Sequence, residues 1–243
     1  MSVNTRNSIV TNGLIMYFDA ANPMSYTSGS ISYYNLNSGY TNITSSILSN
    51  QNGTITLPQY SSEGGGSFIF NGTGSVINVS SNPQNAGFWP LPSMSLEVWF
   101  KSPGTGSGQS LGGGILGFTY GIRYYLLPTT GNVRFTVNST TTSAVNITDT
   151  SKNYFDNQWH HVIAVNNGVS SSLYVDGTLK TAATASWTGI SPWPTNGLNI
   201  GRDNNDATYY FSGSIGPIRI YNRVLSAQEV LQNYNATKIR FGL

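Results

Sequence analysis

Two adjacent histidines, one acidic loop and a scatter of aromatic rings are the residues of this sequence whose types could do chemistry. His160 and His161 are the only histidines. Both fall in the β-patterned run 159–166, where neighbouring side chains point to opposite faces. They cannot share a metal, and a three-histidine zinc site is excluded. Asp203-Asn204-Asn205-Asp206 is a run rich in carboxylate and amide oxygens, the hard donors that calcium takes. Asp203 and Asp206 are the candidate ligands, joined by Asp19 if the fold brings it near. The competing reading is a solvated loop whose Asx side chains cap turns. Tyr33, Tyr34, Trp89, Trp187, Trp193, Tyr209 and Tyr210 lie in or beside irregular segments. An aromatic ring stacks on the apolar face of a sugar while Asn, Asp and Arg take the hydroxyls. Tyr33, Tyr34, Trp187, Trp193, Tyr209 and Tyr210 are therefore candidate glycan-binding residues. Anchoring of loops or a protein interface would use the same rings.

The elements that must position these residues are strands. Short β-like runs between turn residues occupy 13–19, 67–70, 76–79, 94–101, 115–120, 122–127, 133–138, 159–166, 171–175, 198–201 and 214–221. In 159–166, Trp159, His161, Ile163 and Val165 share one face while His160, Val162 and Ala164 share the other. In 94–101, Leu96, Val98 and Phe100 oppose Glu97, Trp99 and Lys101. Asp176-Gly177 between two β runs is the two-residue type I′ hairpin signature, and Asn167-Gly168 marks a longer one. Ser226-Ala-Gln-Glu229 is a capping box flanked by the staple pair Leu225 and Val230, which predicts one helix over 226–234. Residues 22–56 and 86–92 are poorly patterned, and 102–114 reads as a Gly/Ser-rich loop.

Composition bounds the function. The chain has 243 residues, and the 38% that are apolar are enough for one sizeable core. Only 8% are charged, so the polar surface must be Asn, Ser, Thr and Gly. With a net charge of +2 and no dense basic stripe, nucleic-acid binding is not expected. There is no cysteine, so disulfides and thiolate metal sites are excluded. No stretch approaches the ~18 apolar residues of a spanning helix, and MSVNTRNSIV lacks an apolar signal region. Neither membrane insertion nor export by a leader is expected. The reading is a single domain over 1–243, with an N-terminal arm at 1–12 and a C-terminal tail at 236–243.

The ordered series Trp159-His160-His161-Val162, Leu173-Tyr174-Val175-Asp176-Gly177, Leu198-Asn199-Ile200-Gly201, Phe211-Ser212-Gly213-Ser214-Ile215 and 218–230 resembles the laminin G-like members of the concanavalin A-like lectin/glucanase superfamily. Gly13-Leu14, 17–20, 66–68, 70–73 and 95–100 fit the same series, so the resemblance covers nearly the whole chain. It implies an all-β, two-sheet antiparallel jelly-roll sandwich with one short C-terminal helix, and a structural His161. The opening GLIMYFDAANPMSY and the closing NYNATKIRFGL are similar to domains of tailed-bacteriophage structural proteins. That implies a non-enzymatic virion surface protein, made in the host cytoplasm. Its expected partners are other capsid or tail proteins, cell-surface glycans, or a second copy of the chain. The alternatives are a free calcium-dependent carbohydrate-binding module and, third, a glycoside hydrolase. Relatives carry acidic residues where this chain has Asn35, Asn71 and Gly74-Ser75, so calcium here lacks those ligands. The glucanase branch needs an acid and a nucleophile flanking the glycosidic bond; Glu97 is the one strand carboxylate in a comparable place, which leaves no catalytic residue. In the tail, Lys238, Ile239, Arg240, Phe241 and Leu243 alternate basic with apolar. Either they form an edge strand on the domain's own sheet or they dock on a neighbouring subunit.

Overall fold

The computed structural model describes residues 8–30, 32–37, 44–48, 58–80, 93–104, 113–118, 122–127, 129–137, 145–184, 198–203 and 209–243. Trp89, Trp187, Trp193 and Asp206 lie outside the described residues. The strands are β1 (Leu14–Phe18), β2 (Ser32–Tyr34), β3 (Thr44–Leu48), β4 (Gln59–Ser61), β5 (Ser67–Asn71), β6 (Val76–Ser80), β7 (Met94–Lys101) and β8 (Gly114–Phe118). They continue as β9 (Ile122–Leu126), β10 (Val133–Val137), β11 (Val145–Thr148), β12 (Trp159–Asn166), β13 (Ser170–Val175), β14 (Thr178–Thr184), β15 (Leu198–Ile200) and β16 (Ser212–Tyr221). The helix α1 spans Ala227–Thr237, and a 3₁₀ turn follows at Lys238–Phe241.

Two antiparallel sheets pack face to face. The first runs β14-β13-β12-β7-β16-β5-β4, with β1 on the far half of β16; the second runs β11-β10-β9-β8-β15-β6-β3-β2. Alternation along each strand fills the space between them. Leu96, Val98, Phe100, Val162, Ala164 and Ile218 of the first sheet meet Tyr124, Leu126, Phe135, Ile147, Ile77 and Ile200 of the second in one buried cluster. The Tyr124 hydroxyl donates across the sandwich to the Leu96 carbonyl (2.7 Å).

The outer face of the first sheet is apolar too, which obliges it to find a cover. Ile163, Val165 and Tyr221 are buried with Leu225, Val230 and Val10. Trp99 and Trp159 are buried with Phe241, and Tyr234 packs on them. The cover is α1 with the turn after it. The capping box forms as its sequence dictates: the Ser226 hydroxyl accepts from the Glu229 amide, and the Glu229 side chain accepts from the Ser226 amide. The helix runs about one turn past the expected end. The Asp176-Gly177 hairpin has both residues at positive φ, as type I′ requires.

Two expectations are corrected. Residues 22–56, read as unpatterned, contain β2 and β3. β2 is only three residues long and β3 is largely Ser and Thr, so their β pairing comes from neighbours rather than from a long hydrophobic alternation. The tail is a 3₁₀ turn and no edge strand. Phe241 stacks on Trp99 (4.2 Å between centroids, 19°), and Arg240 pairs with Asp19 (2.7 Å) and donates to the Gly64 carbonyl (2.9 Å). Both side chains pack on the domain itself. Ile239, at 81% exposed, and Leu243, at 49%, point outward, and Lys238 lies over the Tyr234 ring.

Candidate functional site

The titratable residues of the first sheet form a sealed network under α1. Glu97 of β7 faces Arg219 across the β7/β16 register and forms an ion pair with it. It also accepts from His161 Nε2 (3.0 Å) and Asn233 Nδ2 (2.7 Å). Burial alone would raise the Glu97 carboxyl. The Arg219 guanidinium, with the hydrogen bonds from His161 and Asn233, outweighs that and holds it at about 2. Glu97, Arg219 and His161 are fully buried. A carboxylate so placed neither reaches a sugar nor carries a proton to give it near neutral pH. His161 is the buried, hydrogen-bonded residue implied by the resemblance. His160, on the opposite face, is held by Asp176 (2.8 Å) and Asp156.

The candidate metal ligands are neutralised by arginines. Asp19 pairs bidentately with Arg240, accepts from the Tyr17 hydroxyl (3.0 Å) and from the Ala21 amide. Asp203 pairs with Arg123 (2.9 Å). Asp19 and Asp203 are thus ion-pair partners of arginines, and no group of three His, Asp or Glu residues suits a metal among the described residues, of which Asp206 is not one. Asn71 and Asn35 hold backbone amides. The Asn71 side-chain oxygen accepts from the amides of Thr73, Gly74 and Ser75, and that of Asn35 accepts from the Tyr17 amide (2.8 Å).

The outer face of the second sheet has a different chemistry. Because Tyr124, Leu126, Val133, Phe135 and Ile147 point inward, their neighbours Arg123, Tyr125, Arg134, Thr136, Asn146 and Thr148 point outward. The register places residues of all eight strands in one row: Asn146, Thr136, Arg123, Gly117, Asn199, Asn78, Ser46 and Ser32. Every position is polar or glycine. At ~4.8 Å per strand step the row crosses about 34 Å. Thr136 donates to Asn146 Oδ1 (2.7 Å) and Asn78 to Asn199 Oδ1 (2.9 Å). Beside the row, Arg134 lies opposite Tyr125 and Thr148; its Nε donates to Thr148 Oγ1 (2.8 Å) and its Nη1 reaches the Tyr125 hydroxyl (3.4 Å). Arg123 and Arg134 both lie over the Tyr125 ring, at 5.7 and 5.8 Å. Asn199 and Thr136 are buried in the row, Asn146 is exposed, and Arg123, Tyr125, Arg134 and Thr148 are partly exposed. Among the described residues no helix lies on this face. Its exposed end at β9–β11 offers amide, hydroxyl and guanidinium groups in a fixed array.

Several residues singled out from sequence converge here. Gly114 has no room for a Cβ, which would fall 2.0 Å from the Asp203 nitrogen; the 202–203 backbone therefore crosses β8 and brings Asp203 to Arg123. The Asp203 amide donates to the Tyr209 carbonyl (3.0 Å), and Tyr210 bridges Gly114 with Arg202 over its ring (5.8 Å). Tyr34 is 53% exposed on the same face at the far edge strand. Tyr33 is corrected: at 1% exposed it packs among Phe18, Tyr26 and Phe68 and presents no face to a sugar. Sequence reasoning missed Arg123, Tyr125, Arg134, Thr136 and Asn146. Alternation in Ile-Arg-Tyr-Tyr-Leu and Val-Arg-Phe-Thr-Val already put each set on one face; only the pairing of β9, β10 and β11 joins them.

Residues 71–231 match the family model described as the concanavalin A-like lectin/glucanases superfamily. Among solved structures, the chain is similar to the receptor-binding domain of botulinum neurotoxin type G (TM-score 0.63, 15% identity, 92% of this chain and 51% of that one). It is similar to the binding domain of Paraclostridial mosquitocidal protein 1 (TM-score 0.67, 14% identity, 92% and 52%). It is also similar to domain 4 of AbnA, an extracellular arabinanase of Geobacillus stearothermophilus in complex with arabinotriose (TM-score 0.66, 18% identity, 91% and 98%). The chain spans about half the length of the two toxin domains and nearly all of the arabinanase domain. No curated protein matches the sequence.

Proposed function

The chain belongs to the concanavalin A-like lectin/glucanases superfamily, and on that premise we propose that it is a non-catalytic glycan-binding domain displayed on a virion surface. The observation that carries the binding reading is the polar row across the second sheet, open at β9 and β11, where the accessible Tyr125, Asn146 and Thr148 match the hydroxyls of a sugar. Two supports come from the neighbours. The similar structures include domains named for receptor binding, and the arabinanase domain of equal length was solved with a trisaccharide. Sealing of Glu97 under α1 supports a binding role over hydrolysis. The virion setting rests on the opening and closing segments, which resemble tailed-phage domains. Exposed Ile239 and Leu243 then face a capsid or tail partner. A glycan array tests the binding reading: the protein should retain a family of related oligosaccharides, with or without a calcium chelator. Asn146→Ala combined with Tyr125→Ala should weaken that binding at least tenfold. An array with no retained glycan would sink the reading, and failure to co-sediment with particles would sink its setting.

A further inference from the structure

We infer that the glycan held on this face carries an anionic group, a carboxylate or a sulfate, and that Arg134 receives it; the inference rests on the glycan-binding reading above. Arg123, Arg219, Arg223 and Arg240 each hold a carboxylate. Arg134 forms no ion pair among the described residues. Its neighbours across both strand pairs are neutral: Tyr125 on β9 and Thr148 on β11. A guanidinium has five N–H donors and no acceptor. Nε is taken by Thr148 and one Nη1 proton by Tyr125, which among the described residues leaves three donors and a full charge. Arg123 stands over the same ring, so among the described residues two guanidiniums lie against one tyrosine and only Arg123 has a carboxylate, that of Asp203. The excess positive charge is partly buried, where water screens it least.

The geometry also fixes what would neutralise it. The contacts to Thr148 and Tyr125 hold the planar fork in place, so little rotamer freedom is lost on binding. A fork of this kind matches a two-oxygen acceptor, as carboxylate and sulfate present. The surrounding Asn146 and Thr148 suit hydroxyls. One unmatched guanidinium among neutral side chains is not the basic stripe that tracks a phosphate backbone. The ligand that fits is a sugar with one acid group per bound unit.

The test uses matched pairs on the full chain: oligogalacturonate against its methyl ester, and a sulfated galactan oligosaccharide against its desulfated form. Titration calorimetry should show at least tenfold tighter binding of the acidic member of one pair, and which pair responds identifies carboxylate or sulfate. The preference should shrink as salt rises from 20 to 500 mM. Arg134→Gln should bring the two members of that pair within twofold of each other without changing the melting temperature. Arg134→Lys, which keeps the charge, should retain part of the preference and serves if the glutamine variant folds poorly. Equal binding of both members of each pair by the wild type overturns the inference while leaving the glycan-binding reading intact. So does an undiminished preference in Arg134→Gln. Binding of neither member of either pair, with neutral glycans retained on the array, overturns the inference alone; no glycan retained at all overturns both.

Discussion

At the scale of single residues, Glu97 contributes to the acid stability of the fold. Its carboxyl is lowered from 4.5 to about 2 in the native protein, so ionised Glu97 stabilises the folded state at every pH above 4.5. That stabilisation is lost as pH falls from 4.5 through about 2, because the unfolded chain takes up the proton first. A depression of this size corresponds to about 3 kcal/mol. Urea unfolding at pH 7 and at pH 2.5 should show a loss of that order, with an unchanged m-value. Glu97→Gln should be less stable than wild type at pH 7, since the buried Arg219 then lacks a counter-charge. Its stability should vary less between the two pH values, and an equal slope in both proteins would place the acid transition elsewhere. This role was half legible in the sequence. Alternation put Glu97 and Trp99 on the face opposite Leu96 and Val98. That Arg219 would stand beside Glu97 depended on the pairing of β7 with β16, 122 residues away.

At the scale of elements, the strongest local signals were the dependable ones. The capping box, the Asp-Gly hairpin and the long alternating strands each state their geometry within a few residues, and each formed. The tail was misread because Ile239, Phe241 and Leu243 mimic a period of two. What decides its shape lies elsewhere: Trp99 offers a flat ring, Gly64 leaves a space that any Cβ would fill at 2.3 Å from Phe241, and Asp19 supplies a carboxylate for Arg240. The turn thus closes the end of the first sheet that α1 leaves open. Deleting 239–243 should therefore lower the melting temperature of the isolated protein. Phe241→Ala alone should cost about 3 kcal/mol by the range for buried phenylalanine. Ile239→Ser should leave stability unchanged, since that side chain is in solvent, and a large destabilisation by Ile239→Ser would show that the turn packs differently. β2 and β3 were not read for a related reason: β2 is only three residues long and β3 is largely Ser and Thr, and they owe their state to pairing, β3 with β6 and β2 with β3.

At the scale of the whole molecule, the two sheets share one core but have opposite outer faces. The first sheet is apolar outside and spends α1, the 3₁₀ turn and a polar network to cover itself. The second is polar outside, and at β9–β11 its Arg123, Tyr125, Arg134, Asn146 and Thr148 reach solvent. Its candidate site was visible in the sequence only as separate fragments, Asp203 and Tyr209-Tyr210 in one loop and Tyr34 near another. The arginines went unread because an arginine in a strand looks like an ordinary solvent-facing position until the register sets it beside a second one. The division predicts a double dissociation. Glu97→Gln and Phe241→Ala lie under α1, and the core separates them from β9–β11; they should lower the unfolding free energy while leaving glycan affinity within twofold. Asn146→Ala and Thr148→Ala lie on the wet face, bury little apolar surface, and should reduce affinity while shifting stability by under about 0.5 kcal/mol, as surface substitutions do. Calorimetry for binding and urea titration for stability, run on all four variants, separate the two sets. If Glu97→Gln weakened binding as much as Asn146→Ala, the faces would be coupled through the core. If Asn146→Ala destabilised the fold as much as Phe241→Ala, the polar row would be a structural seam and the second sheet would have no surface left to bind with.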